Sequence, residues 1–223
     1  GAGLWSPPFP VSFPLVLSAL TLSLPLVVGV IGGVVDELRV LARRLWWGED
    51  AHDDHSAFLL LNLALPVALI ASPTVPIFGG TKHWMNALPF ACVIAAQFVM
   101  PVLVRLAARQ RVAALAVAAL LVLPGALSTW RAHPHGIGAY SELAMGLRGA
   151  ANLGMHRQFW GGGVRPALAR INQQAKRGAI IFGDRMNEDS FNAYQRNGLL
   201  RADLRFTMQM SRADWWFTFH QPD

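Results

Sequence analysis

The chain predicts an all-α membrane part of about four transmembrane helices followed by a small α/β extracytoplasmic domain. Three observations carry that fold class. Of its 223 residues, 53% are hydrophobic and only 14% charged, a balance unusual for soluble domains of this length. Four segments lack Asp, Glu, Lys and Arg over spanning lengths: Val11 to Val35, Ser56 to Thr81, Trp84 to Val104 and Val112 to Trp130. Beyond Trp130 the apolar runs shorten, and twelve of the nineteen Lys and Arg residues fall between Arg131 and Asp223. Residues 1–130 therefore read as the transmembrane region and 131–223 as a separate, water-facing domain.

A helix of about 20 residues crosses a hydrocarbon core of about 30 Å. Spans are expected near 11–35, 56–74, 84–104 and 112–130. A soluble bundle would show a polar stripe at a 3.6-residue period, and Val112 to Leu123 shows none. Pro14, Pro25, Pro66, Pro89, Pro101 and Pro124 fall inside the spans, where packed membrane helices tolerate proline; they predict kinks around a cavity. Arg39, Arg43 and Arg44 follow span one, and Arg105, Arg109 and Arg111 follow span three. The excess of bases makes both connections cytoplasmic loops. Ser72 to His83, the stub Trp5 to Pro10 and everything after Trp130 then lie on the outer side, where Trp5, Trp84 and Trp130 suit the interface.

Cys92 is the single cysteine; it reads as a small core residue of span three with no intrachain disulfide open to it. The chain opens on Gly1, and Leu4 to Pro14 reads as a proline-rich approach to a span, which implies a piece of something longer.

In the outer domain, Arg165 to Lys176 places Ala167, Leu168 and Ile171 on one helical face. Gly178 to Asp184 is a short apolar run expected to form a buried strand. Ser190 to Leu200 reads as a second helix with Ser190 as N-cap and Gly198 near its end. Leu204 to Met210 and Asp214 to His220 read as two more strands, the latter with Trp215, Phe217 and Phe219 on one face and Trp216, Thr218 and His220 on the other. About 95 residues suffice for a modest core.

Several clusters invite chemistry and do not carry it. His52-Asp53-Asp54-His55 has metal-ligand residue types, but adjacent side chains rarely converge on one ion and no remote ligand joins them, so no metal site is assigned. Asp36 and Glu37 read as part of an exposed helix end, with Asp36 three residues from Arg39. Gly161-Gly162-Gly163 lacks the Lys-Ser/Thr of a phosphate loop and reads as a hinge. The net charge of +6 comes with no recognition motif, so no nucleic-acid partner is expected; anionic membrane lipids suit the bases instead.

Lys82 and His83 are different, being the only potential cations between Ser56 and Val104. Charge at membrane depth is costly and often marks a substrate path or an anionic head group. The plainer alternative is an interfacial pair that snorkels.

The stretch from His133-Pro-His-Gly-Ile-Gly-Ala-Tyr-Ser-Glu142 through Gly146 and Asn152-Leu-Gly-Met155 to Phe159-Trp160-Gly161 resembles the C-terminal half of a family 39 membrane glycosyltransferase. Members similar to protein O-mannosyltransferases and the aminoarabinose transferases of lipid A carry a His-Pro-aromatic, Tyr-Tyr-Asn, Gly-Gly pattern ending in Tyr-Trp-Gly. Tyr140, Glu142, Gly146 and Trp160 stand at comparable places. Gly79-Gly-Thr-Lys-His-Trp-Met-Asn-Ala-Leu-Pro89 resembles an earlier Gly-Val-Arg-His-Phe-like segment with its Leu-Pro. The chain departs from the pattern at Lys82, where Arg is usual, at His135 and at Ser141.

The resemblance implies transfer of a sugar from a polyprenyl-phosphate donor to an acceptor on the outer membrane face, in a bacterial inner membrane. It implies that Lys82 and His83 hold the donor phosphate. It also makes His133, Tyr140, Glu142 and Trp160 acceptor-side or domain-docking residues, with packing of the outer domain onto the membrane face as the plainer role of Tyr140 and Trp160. The family's acidic motif belongs to an early outer loop. The expected partner is therefore a missing N-terminal transmembrane half that carries the catalytic carboxylate, and this fragment alone is expected to be inactive. No cofactor is assigned; a divalent metal belongs to the full-length enzyme if it is needed. The alternative function is a non-catalytic membrane-anchored binding module or a lipid-carrier protein.

Overall fold

The computed structural model describes residues 9–47, 54–75, 80–133, 136–155, 164–184 and 186–218. The chain divides into two compact units, Gly1–Pro134 with Ala139–Met155, and His135–Gly138 with His156–Asp223. The first is helical; the second is α/β.

The expected first span is broken in two, α1 (Phe13–Thr21) and α2 (Leu24–Trp47). Pro25 is the cause. Its ring would collide with the Thr21 carbonyl of a continuous helix, and it has no N–H to donate there. Leu22 accordingly turns extended, at φ −85° and ψ 148°. Past the break, α2 runs through Asp36 and Arg39, which pair at 2.9 Å on its exposed surface. Arg39, Arg43 and Arg44 thus lie on helix and not in a loop, and Arg44 sits in the last turn, where a cation meets the negative end of the helix dipole.

After α3 (His55–Ala71), a 3₁₀ segment spans Gly80–Ala87 and leads straight into α4 (Leu88–Arg109). Gly80 takes φ +68°, a left-handed turn that favours glycine. α4 and α5 (Arg111–Ala132) are joined by Gln110 alone, whose extended backbone (φ −147°, ψ 93°) reverses the chain. Arg105, Arg109 and Arg111 flank this reversal on helix.

The α1–α2 pair runs parallel to the 3₁₀ segment and α4. Trp84 bonds Ser18 at a separation of 66 residues, and Gly29 against Ala95 and Gly32 against Phe98 keep the same separation. The arginine-bearing C-terminal ends of α2 and α4 therefore share one end of the unit. Contact between the N-terminal half of α2 and α4 depends on glycine. A Cβ on Gly29 would stand 2.9 Å from the Ala95 Cβ, and one on Gly33 would strike the Ile94 carbonyl. Such small-residue stripes let helix backbones approach closely. α3 packs antiparallel to α4 through Phe58 and Phe90, edge to face at 5.7 Å, and the Gln97 amide donates to His55 Nε2 at 2.7 Å.

Among the described residues, two helical runs are long and apolar enough to cross a membrane: Gly80–Arg109 and Arg111–Ala132. Only 22% and 6% of their apolar windows are buried, whereas the core helix of a soluble protein is mostly enclosed. α3 is shorter at 17 residues, and the break leaves neither half of the first expected span long and apolar enough by itself. Trp84 is not an interfacial indole; it is 2% exposed, packed edge to face on Phe13. Trp130 is exposed at the end of α5. Cys92, expected in the core, faces outward from α4, because α4 turns Ala91, Ile94 and Ala95 inward instead.

Ala139–Met155, grouped with the outer domain by composition, belongs to the helical unit. It contains a 3₁₀ turn, Glu142–Ala144, and the short α6 (Gly146–Asn152).

In the second unit, α7 (Val164–Gln174) precedes β1 (Ile180–Gly183), α8 (Glu188–Arg196), β2 (Arg205–Thr207) and β3 (Trp215–Phe217). The sheet is all parallel in the order β2-β1-β3. Leu168 and Ile171 of α7 are buried as expected, with Val164, and they meet Ile181 and Phe191 in one core. The cap of α8 is Asn187 and not Ser190: its side chain accepts the Ser190 amide at 2.9 Å, the N-cap geometry read three residues late. The last two strands are shorter than expected, and Phe219 and His220 lie outside the described residues.

Arg201 clasps this unit. Its guanidinium donates to the Asn172 and Ala175 carbonyls at the end of α7, each at 2.9 Å, and pairs with Asp203 at 2.7 Å. Asp203 in turn accepts the Gly178 amide at 2.8 Å. The hydrogen bonds from Arg201 and Gly178 hold the Asp203 carboxyl well below the usual carboxylate range.

Two outcomes follow. Gly33→Leu is expected to destabilise the helical unit by about 1–3 kcal/mol, read as a lower melting temperature in detergent, with Gly33→Ala intermediate. Because the folded pKa of Asp203 is depressed, its contribution is full above the unfolded value of about 3.9 and is lost as pH falls further. Asp203→Asn is expected to raise amide exchange across 164–183 at neutral pH and to flatten its acid dependence below about pH 4.

Candidate functional site

A break inside a helix leaves carbonyls orphaned on one side and amides on the other. Here one short segment serves both. The Ser141 amide donates to the Leu20 carbonyl at 2.8 Å, and the Ser141 hydroxyl donates to the Ala19 carbonyl at 3.2 Å. The Glu142 carboxylate accepts the Leu24 amide at 3.2 Å. Donors thus meet the negative end of α1, and an anion meets the positive end of α2. Ser141 is 3% exposed, so its polar groups need these partners.

The chain can present Ser141 and Glu142 side by side because the next turn is tight. The Ala144 and Gly146 amides both return to the Ser141 carbonyl at 3.1 Å. Met145 takes a left-handed φ of +54°, uncommon outside glycine, and Gly146 follows at +66°. Tyr140, on the other side, is buried. Burial pushes its phenol up to about 12, still further above the physiological range than an ordinary tyrosine.

The second expected segment is tied to the same stretch of α1. The Trp84 indole donates to Ser18 Oγ at 2.8 Å. Ser18, Ala19 and Leu20 therefore receive Trp84 and Ser141 in succession. Immediately before Trp84 stand Lys82, exposed, and His83, half-buried, on the 3₁₀ segment and not on the irregular loop expected. Trp84 itself departs from helical geometry at φ −127°, ψ 22°, and this kink sets off Gly80 to His83 from the axis of α4.

His133 closes α5, its amide donating to the Thr129 and Trp130 carbonyls at 3.1 and 3.3 Å. Two turns earlier, a Cβ on Gly125 would lie 3.7 Å from Ser23, which brings the C-terminal part of α5 to the break as well. Lys82, His83, His133, Tyr140 and Glu142 thus gather at the end of the helical unit opposite Arg39, Arg43, Arg44, Arg105, Arg109 and Arg111, an end that also carries Arg131 in the last turn of α5 and Arg148 on α6. Trp160, with Gly79, His135, Phe159 and Gly161 to Gly163, lies outside the described residues, as do His52 and Asp53; Asp54 and His55 open α3.

Chemically, this end offers one exposed ammonium and an adjacent imidazole on a braced turn. Its carboxylate, Glu142, is engaged with backbone. Among the described residues, no three His, Cys, Asp or Glu side chains are grouped to hold a metal. Sequence reasoning passed over Ser18 and gave Ser141 no role except as a departure from a pattern; no periodicity marks either. Comparison with known protein families, curated proteins and solved structures returns no match.

If Glu142 caps α2, Glu142→Ala costs about 0.5–2 kcal/mol of local stability. The Leu24 amide is then expected to exchange about twofold to thirtyfold faster by hydrogen-exchange mass spectrometry or NMR, with Ser141→Ala loosening the end of α1.

Proposed function

We propose that the chain is the C-terminal part of an integral membrane glycosyltransferase, transferring a sugar from a polyprenyl-phosphate donor to an acceptor at the outer face of a bacterial inner membrane. On this reading α1–α2, α3, α4 and α5 make four crossings, with the α/β unit extracytoplasmic. One observation carries it: Lys82 and His83 stand on a braced turn at the end of the helical unit opposite its six-arginine cluster (Arg39, Arg43, Arg44, Arg105, Arg109 and Arg111), with only Arg131 and Arg148 of the unit's described arginines on the Lys82 side. Bases concentrate on the cytoplasmic side, which supports placing the end with fewer of them at the outer leaflet.

There the Lys82 ammonium meets the donor phosphate, with His83 as a second hydrogen-bond donor. In transfer, the acceptor oxygen bonds the anomeric carbon as the bond from that carbon to the phosphate oxygen breaks. A fixed cation stabilises the phosphate charge that develops. The carboxylate that takes the acceptor proton is proposed to lie outside this chain, since Glu142 is occupied in capping α2. His133 and Tyr140 are proposed on the acceptor side.

A second reading, a membrane-anchored binding module or lipid carrier, is favoured by the separate core of the α/β unit and by the engagement of Glu142. The two differ in whether the bound lipid loses its sugar.

The test is binding of undecaprenyl phosphate to the chain in nanodiscs, followed by native mass spectrometry. Lys82→Ala is expected to weaken it at least about tenfold, as for loss of a charge-assisted hydrogen bond, and Lys82→Arg to retain it. Unchanged binding in Lys82→Ala overturns the phosphate role. In the complete gene product, Lys82→Ala also slows sugar transfer if the chain is a transferase; a carrier consumes no sugar.

A further inference from the structure

The α/β unit covers the two faces of its sheet unequally. Ile181, Phe206, Trp215 and Phe217 pack with α7 and α8 in the core. Register places Phe182 beside Thr207 and Trp216, and Ile180 beside Arg205, on the opposite face. In the order β2-β1-β3 the connection from Thr207 to Trp215 must pass over β1. The helices occupy the Ile181 side, so this connection crosses the Phe182 side, as right-handed crossovers also require.

A parallel sheet normally has helices on both faces. Among the described residues the second face carries only a thin connector, and the exposed side chains there are apolar and basic. Met208 is 71% exposed, Met210 44% and Trp216 56%, with Arg205 and Arg212 exposed beside them. Of the acids near this face, Asp214 is turned to the backbone, accepting the Ile180 amide at 2.8 Å.

We infer that this patch docks onto the head-group layer of an anionic bilayer. Tryptophan suits the interface, methionine adapts to irregular apolar surroundings, and each arginine near an anionic surface adds attraction. Charge complementarity favours the lipid over a second copy of this basic chain. The inference rests on the membrane reading above, which keeps a bilayer within reach of the tethered unit.

The full chain is reconstituted in nanodiscs of phosphatidylcholine with or without phosphatidylglycerol, carrying lipids spin-labelled near the head group. An environment-sensitive fluorophore is placed on Met208→Cys in a Cys92→Ser background, on Gln173→Cys of α7 as a solvent control, or on native Cys92. Quenching at Cys92 reports the membrane reading by itself. Quenching at position 208 but not 173, stronger with phosphatidylglycerol and reduced about tenfold in its docking constant by Arg205→Glu with Arg212→Glu, is the expected result. Quenching at Cys92 without quenching at 208 overturns this inference alone, and its absence at both sites overturns both. Shielding at 208 that tracks protein concentration in lipid-free detergent assigns the patch to a second copy and overturns the lipid docking.

Discussion

The helical unit depends on how the broken backbone between Thr21 and Leu24 is satisfied. Unpaired carbonyls and amides are expensive away from water, and in a bilayer they are tolerated only where protein or a cavity meets them. Ser141 and Glu142 supply donors to one side of the break and an acceptor to the other. This exchange holds residues more than a hundred positions apart in one place. It draws Ala139–Met155 onto the helices and leaves Tyr140 buried. The neighbouring residue Ser18 anchors Trp84, and through Trp84 the turn that bears Lys82 and His83.

Local features were legible to the extent that they obey local rules. The buried strand around Ile181, the buried face of α7 and the exposed Asp36–Arg39 pair follow from periodicity and spacing, and each is present. The cap of α8 was misplaced by three residues because Ser and Asn cap equally well and only geometry chooses between them. Pro25 announced a kink, but not a complete break with an extended Leu22, since the same residue elsewhere leaves the helix unbroken: Pro66, Pro101 and Pro124 lie inside continuous ones.

The candidate site was legible in its residues and not in its mechanics. Lys82 and His83 stand out as the two basic residues of an otherwise uncharged apolar stretch. That Trp84 is a buried brace and not an interfacial ring follows from Ser18, 66 residues away, which no pattern in either segment announces. Glu142 attracted attention as a carboxylate in an outer segment; its partner is a backbone amide created by a break that the sequence only hints at. The glycines at 29, 32 and 33 could have been read as a close-packing stripe, a signal that spacing does contain.

The joint between α4 and α5 has its own implication. With Gln110 alone between them, the two helices cannot separate by more than a few ångströms at that end without unwinding. In a membrane, such a pair enters as a preformed wedge whose arginines at 105, 109 and 111 stay behind together. Biogenesis would then handle α4 and α5 as one indivisible step, and the orientation of one fixes that of the other.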